Sequence, residues 1–333
     1  MKKSSSITCA ILFVYFSLSA FKVQAQYDLR PRIYAAIKAY INKEYLKSAQ
    51  LYSEDLVERN FYAPDDKMLY SARMWALADM PDSAFSQLNR MAKGSYAPAL
   101  KNIFADDAFN NLKKDNRWIT LSELLKTKSI KPEQAVKKNY MLIAELLIIF
   151  YDDQHYRLPL DSIIQKYGDS SPEIIAQWQL VHKLDSVNQQ KIETLIDKYH
   201  WPKNNEIDKE GSNTIFLVIQ HAKLAMKLKY LPLIKEAYKK NMITGQEVAL
   251  LEDRIAMFQH KKQIYGSQLI GDGTGKYYIA PLGDPDNVDK RRAEMGMPSM
   301  NENLQRWNMT WNVEQYKKDL PHIEEIASHM TYN

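Results

Sequence analysis

Four helical stretches of this chain carry a charged or polar residue where an apolar one is expected. In segment 172–199 an apolar stripe runs Ile174, Trp178, Val181, Asp185, Asn188, Ile192, Leu195, Tyr199 at alternating spacings of four and three, which puts Asp185 and Asn188 in mid-seam. Ile143, Leu146 and Phe150 lead to Asp153 and Arg157, an acid and a base four residues apart. Leu217, His221, Leu224 and Leu228 place His221 on an apolar seam. Asp253 shares its face with Ala249, Leu250 and Met257, and Arg254 edges the stripe Val248, Leu251, Ile255, Phe258. A buried unpaired charge costs several kcal/mol, so each group either finds a separate structural partner or the set converges on one polar pocket.

Two chemistries suit such a set. As an enzyme, His221 is a general base or acid oriented by Asp253 or Asp185, while Arg254 or Arg157 holds an anionic group, giving a hydrolase or transferase. As a binding module, the same residues hold a small polar ligand without reacting. Asp153, Asp185, Asp253 and His221 are types that hold a hard or borderline cation. Nothing in their spacing fixes a geometry, and the seven histidines are scattered, so neither a metal nor any other cofactor is expected. Gly-x-Ser-x-Gly, Walker, His-Glu-x-x-His and paired-Cys signatures are all absent, which favours binding. Asp272-Gly273-Thr274-Gly275 reads as a hairpin turn.

The elements that must position these residues are mainly helices. Helices are expected at about 140–156, 172–199 with Ser171 as N-cap and Pro172 in first position, 213–228, 232–242 and 246–260. Residues 263–270 and 277–280 read as a β-hairpin, 287–295 as a short helix closed by Gly296, and Ser299-x-x-Glu302 as a capping box. In the N-terminal part, Tyr45-x-x-Ser48-x-x-x-Tyr52 is echoed by Pro81-x-x-Ala84-x-x-x-Leu88, with Ser48 and Ala84 36 residues apart. That is close to the ~34-residue tetratricopeptide period, so this part resembles tetratricopeptide-like hairpins, a plain helical bundle being the alternative. Residues 106–118 read as further helix, and the basic stretch 126–139 with Pro132 as a linker. The expected fold is mainly α: helical hairpins over 26–125, a helical domain over 140–310 carrying a small C-terminal β-hairpin, and a tail at 311–333.

Asp153-Gln154-x-x-Arg157, Asp185-x-x-Asn188, Trp201-Pro202, Gln220-His221-Ala222, Asp253-Arg254, Gln263-x-Tyr265-Gly266-x-Gln268, and Asp289-x-x-Arg292 with Gly296 follow one another along residues 140–307. In this order they resemble a bacterial family, domain of unknown function 6624. The Gln-x-Tyr-Gly-x-Gln element is the most specific part, with Ser267 where the family favours Thr. The resemblance implies that these positions form the family's site. Asp153, Arg157, Asn188, Gln263, Tyr265, Gln268 and Arg292 are accordingly candidate ligand contacts beside His221, Asp185, Asp253 and Arg254. It implies no reaction.

Lys2 and Lys3, the apolar run from Ile7 to Phe21, and Val23-Gln24-Ala25 form a secretory signal peptide over residues 1–25. Export to the periplasm or medium is expected, with no transmembrane segment. Removing the leader takes away three lysines, no acid and the chain's one cysteine, lowering the formal net charge from +5 to +2. A near-neutral chain makes no case for nucleic acid, and a cysteine-free one has no disulfide or thiolate. The expected partners are a protein or peptide on the N-terminal hairpins and a small polar ligand in the C-terminal domain. Asp185→Leu or His221→Leu is expected to leave folding intact while removing binding.

Overall fold

The computed structural model describes residues 30–58, 65–168, 170–203, 206–272 and 276–330. Residues 1–25, expected as a leader, and residues Gly273, Thr274 and Gly275, expected as a turn, lie outside these. The chain is mainly α, with one small two-stranded antiparallel sheet near the C-terminus. No helix among the described residues is long and apolar enough to cross a membrane. Two compact units are present: residues 30–155 with Pro202–Gly211, and Tyr156–Trp201 with residues 212–330.

The first unit begins with four helices, each packed on the next: α1 (Pro31–Ile41), α2 (Tyr45–Glu58), α3 (Asp65–Leu77) and α4 (Pro81–Lys93). Proline opens α1 and α4, where its missing N–H costs nothing. Ser48 and Ala84, the small residues of the echoed pattern, are fully buried, and Ser48 Oγ donates 2.8 Å to the Ala36 carbonyl. The helix expected over 106–118 is instead a chain of 3-10 turns, Ala97–Ala105, Asp107–Phe109 and Leu112–Lys114, before α5 (Arg117–Thr127). Asp106 and Asp115 each accept the amide two residues on, at 2.9 Å, and so offer the backbone a turn in place of a helix. In the basic stretch expected as a linker, Ile130 is buried in the unit's core and the Val136 amide bonds Asn102 Oδ1 at 3.1 Å. α6 (Tyr140–Gln154), capped by Asn139, buries Ala144 and Ile148 with Ile33, Tyr52 and Met74, so the compact unit runs through to His155.

The second unit holds α7 (Leu160–Tyr167) and α8 (Pro172–Tyr199), with Ser171 Oγ accepting the Ile174 amide as N-cap. α9 (Lys209–His221) and α10 (Leu224–Lys239) meet at Ala222-Lys223, not between residues 228 and 232 as expected. Pro232 lies inside α10, where the buried stripe Met226, Tyr230, Ile234, Ala237 continues across it. Packing along that stripe offsets one lost backbone bond. The seam drawn through Leu217, His221, Leu224 and Leu228 therefore does not exist as one helix face. His221 ends α9 half-buried, and Leu228 is exposed.

A full capping box, Thr244 with Glu247, starts α11 (Gly245–Phe258). β1 (Leu269–Gly271) pairs antiparallel with β2 (Tyr277–Ile279), Leu269 opposite Ile279. The hairpin is thus shorter than expected, and residues 263–268 are an irregular loop. α12 (Val288–Glu294) and α13 (Met300–Leu304) follow, the latter opened by the expected Ser299–Glu302 box. The segment taken as a tail carries α14 (Val313–Ser328), whose Tyr316 hydroxyl accepts the Leu282 amide at 2.7 Å and donates to the Ala280 carbonyl at 3.2 Å. Ile323 and Met330 close the core over Leu269, Ile270 and Ile279.

Candidate functional site

The polar interruptions of the second unit sort into two clusters. The first is built on Asp253 of α11. Its Oδ1 accepts the amides of Ile264 (2.7 Å) and Tyr265 (2.9 Å), and its Oδ2 accepts that of Ser267 (2.9 Å). Burial pushes this carboxyl above the ordinary aspartate range while the three amides pull the other way. Gln263 closes the loop on itself, accepting the Gln268 amide (2.9 Å) and donating to the carbonyls of Gln268 (3.1 Å) and Ala280 (2.8 Å). From α12, fully buried Arg292 donates to the carbonyls of Tyr265 and Pro298, both at 2.7 Å, and Arg291 to those of Ile264 (2.9 Å) and Gly283 (2.8 Å). Asp289 holds the Met300 amide at 2.7 Å. Gly266 is required here: its φ is +64°, and a Cβ would stand 2.9 Å from the Met300 side chain. The most specific element of the sequence pattern is thus a loop whose path is held by backbone bonds to Asp253, Gln263 and Arg292.

The second cluster joins α8, α10, α11 and the loop. Arg157, in the turn before α7, bonds both Asp185 oxygens through Nη2, at 2.6 and 2.7 Å, and both side chains are buried. α6 ends at Gln154, so Asp153 and Arg157 do not share one helix. Asp153, in the first unit, is buried and accepts from Gln154 at 2.6 Å. Asn188, one turn from Asp185 on α8, is fully buried. Arg254 donates from Nε to Gln268 Oε1 (3.1 Å) and from Nη1 to the Gln220 carbonyl (3.3 Å), which ties this cluster to the loop and to the end of α9.

Lys227 of α10 was not among the candidates, yet it is 1% exposed. Its Nζ donates to the Ala222 carbonyl just past α9 and lies 4.3 Å from the Phe258 ring centre. Burial, and then the Arg254 charge, bring its amine down to about 6 despite the opposing pull of Asp185. On the exposed side of α8, His182 is held below the ordinary histidine value by partial desolvation and then by the Arg157 and Lys223 charges.

Of the predicted residues, Asp185, Arg157, Arg254 and Gln268 come together in the second cluster; Asp253, Gln263, Tyr265 and Arg292 build the first, which Gln268 also joins. Of the two carboxylates expected to orient His221, Asp253 holds loop amides and Asp185 holds Arg157. No group of three or more His, Cys, Asp or Glu side chains among the described residues is placed to hold a metal ion. Lys227 was legible in principle. Lys227, Tyr230, Ile234 and Ala237 are spaced three, four and three, the signal that singled out Asp185, but it was hidden by ending a helix at residue 228.

A family model described as "Family of unknown function (DUF6624)" matches residues 141–314. It extends over more than half of the chain and covers α6 to the start of α14, including both polar clusters of the second unit. No curated protein and no solved structure matches the chain. The chain belongs to this family of unknown function.

Proposed function

We propose that this family member is an exported envelope module whose second unit binds a small polar ligand through an anionic group, at the Arg157, Asp185, Lys227 and Arg254 cluster. The observation that carries the reading is Lys227. A lysine buried beside Arg254 has its charge disfavoured even with Asp185 acting on it, so the site has too little negative charge to hold Lys227 protonated. An arriving carboxylate, phosphate or sulfate supplies the missing charge and forms charge-assisted hydrogen bonds with Arg254 and Lys227. Export rests on the leader pattern of residues 1–25, which a mass spectrum of the native protein starting at Gln26 would support. In the same reading the first unit is the arm that meets a protein or peptide. Its exposed Leu46, Val57, Met80 and Ile119 supply apolar contacts.

The test is thermal denaturation of the intact chain at pH 6 in acetate, succinate, phosphate and sulfate series. A ligand at a hundred times its Kd raises stability by about 2.7 kcal/mol, a shift that Lys227→Met and Arg254→Gln should reduce. If no anion shifts the wild-type transition, the reading is wrong. A hydrolase or transferase using His221 would instead require turnover that His221→Asn abolishes with its fold intact.

A further inference from the structure

We infer that the ligand of this cluster is not a bare anion but a carboxylate that also carries an O–H or N–H donor a few bonds away, as in small hydroxy acids and amino acids; this rests on the anion-binding reading above. The juxtaposition is at Gln220, near the end of α9. Its backbone carbonyl takes Arg254 Nη1 at 3.3 Å, so the residue lies against the cation proposed to hold the carboxylate. Its side-chain Nε2 donates to the Leu250 carbonyl at 3.4 Å, while Oε1 has no hydrogen-bond partner among the described residues. At 5% exposure, Gln220 has little bulk water to make up the deficit. Reversing the amide does not help, since it would set Oε1 against the Leu250 carbonyl, oxygen against oxygen. A buried acceptor left unsatisfied pays its desolvation penalty in full, and the group that removes this cost is a donor. Arg254 and Lys227 provide donors for the carboxylate, and Gln220 Oε1 provides the complementary acceptor. One side chain's reach separates the two, which limits the spacing between the ligand's charge and its donor. A site of this kind discriminates steeply against an analogue that lacks the hydrogen-bonding group, because the acceptor is then left buried and unpaired.

The experiment is calorimetric titration of the full chain at pH 6 with matched probes: propionate against lactate, 2-methoxypropionate and alanine, and butyrate against 3-hydroxybutyrate and 3-aminobutyrate. Expected is binding of at least one hydroxy or amino acid tenfold or more tighter than its parent acid, with the methoxy analogue, which keeps the oxygen but loses the donor, no better than propionate. The hydroxy and amino arms separate the two ligand sources. Gln220→Met should make the parent and substituted acids bind alike while parent-acid binding persists. Parent and substituted acids binding equally to wild type, or the methoxy analogue matching lactate, overturns the inference and leaves the anion site standing. If no probe binds at all, the anion site itself falls. The methoxy comparison uses only wild-type protein, so it decides the matter even if Gln220→Met does not fold.

Discussion

The loop around Asp253 and the cluster around Lys227 are both built from polar residues that interrupt apolar helices, and they differ in what answers the polarity. Asp253, Gln263 and Arg292 are met chiefly by backbone amides and carbonyls. These groups are fixed by the chain's path, so the side chains dictate that path and little else. Arg157, Asp185, Lys227, Arg254 and Gln268 are met largely by one another and by carbonyls at the end of α9. Charge there is balanced against charge in a buried setting, where an incoming ion can alter the balance. A polar residue in an apolar stripe announces that it has a partner; whether the partner is backbone or another ionisable group separates scaffold from site.

The largest expected effect tests the scaffold side. Asp253→Ala removes a carboxylate that accepts three amides, and charge-assisted bonds are worth roughly 1.5–3 kcal/mol each, so a loss on the order of 5 kcal/mol in urea denaturation is expected. Asp253→Asn, which keeps an acceptor, should fall between. If Asp253→Asn keeps wild-type stability and abolishes anion binding, Asp253 belongs to the site and the contrast collapses.

On the other side, Asp185→Leu strands buried Arg157, and breaking one partner of a buried pair costs about 3–5 kcal/mol. This replaces the expectation from sequence that Asp185→Leu leaves folding intact while removing binding. The double variant Asp185→Leu/Arg157→Leu should recover most of the loss, because neither charge is then left alone. Equal destabilisation of single and double variants, measured by urea titration, would show that the pair is not the unit that matters.

Lys227→Met, next in size, should stabilise. Replacing a buried charge by an apolar side chain of similar volume gains about 1–4 kcal/mol. Its pH dependence fixes the cause. Between about 6 and the ordinary lysine value the unfolded chain holds a proton that the folded chain lacks, so wild-type stability rises with pH across that window. The gain from Lys227→Met should therefore be full at pH 6 and shrink steadily toward pH 10. A gain that does not change with pH would mean that packing, not the amine, is responsible.

Much of this contrast was legible in sequence, and the failures have physical reasons. α8 is found with its bounds and its N-cap, because Ser171, Pro172 and an unbroken three-and-four stripe agree with one another. Asp185 is found as inward-facing for the same reason, whereas Arg254, read at the edge of its stripe, is buried. Ending one helix at 228 and opening the next at 232 misled, since in α10 the buried stripe runs on through Pro232. That one error displaced His221 onto a seam that does not exist and hid Lys227. The pairing of Arg157 with Asp185, 28 residues apart, lies beyond any spacing rule because it depends on how the turn before α7 meets α8. The same holds for the amides gathered by Asp253, since a carboxylate's sequence does not state which backbone will reach it.

Tyr265→Phe carries the smallest expected effect and asks the most of the comparison. Tyr265 was expected to contact ligand, yet what it gives the loop is its backbone: the amide donates to Asp253 at 2.9 Å and the carbonyl accepts from Arg292 at 2.7 Å. Its hydroxyl makes one long bond, 3.3 Å to Glu252, from a half-buried position. Net, a typical hydrogen bond contributes about 0.5–1.5 kcal/mol, and this long, partly hydrated one belongs at or below the lower end. The substitution preserves the ring and both backbone contacts, so stability should fall by no more than about 0.5 kcal/mol and anion affinity should be unchanged within twofold in the same calorimetric titration. A loss of affinity of tenfold or more at unchanged stability would place the Tyr265 hydroxyl on the ligand. The loop would then be part of the binding surface, and the division between a backbone-satisfied scaffold and a charge-balanced site would have to be redrawn around α11.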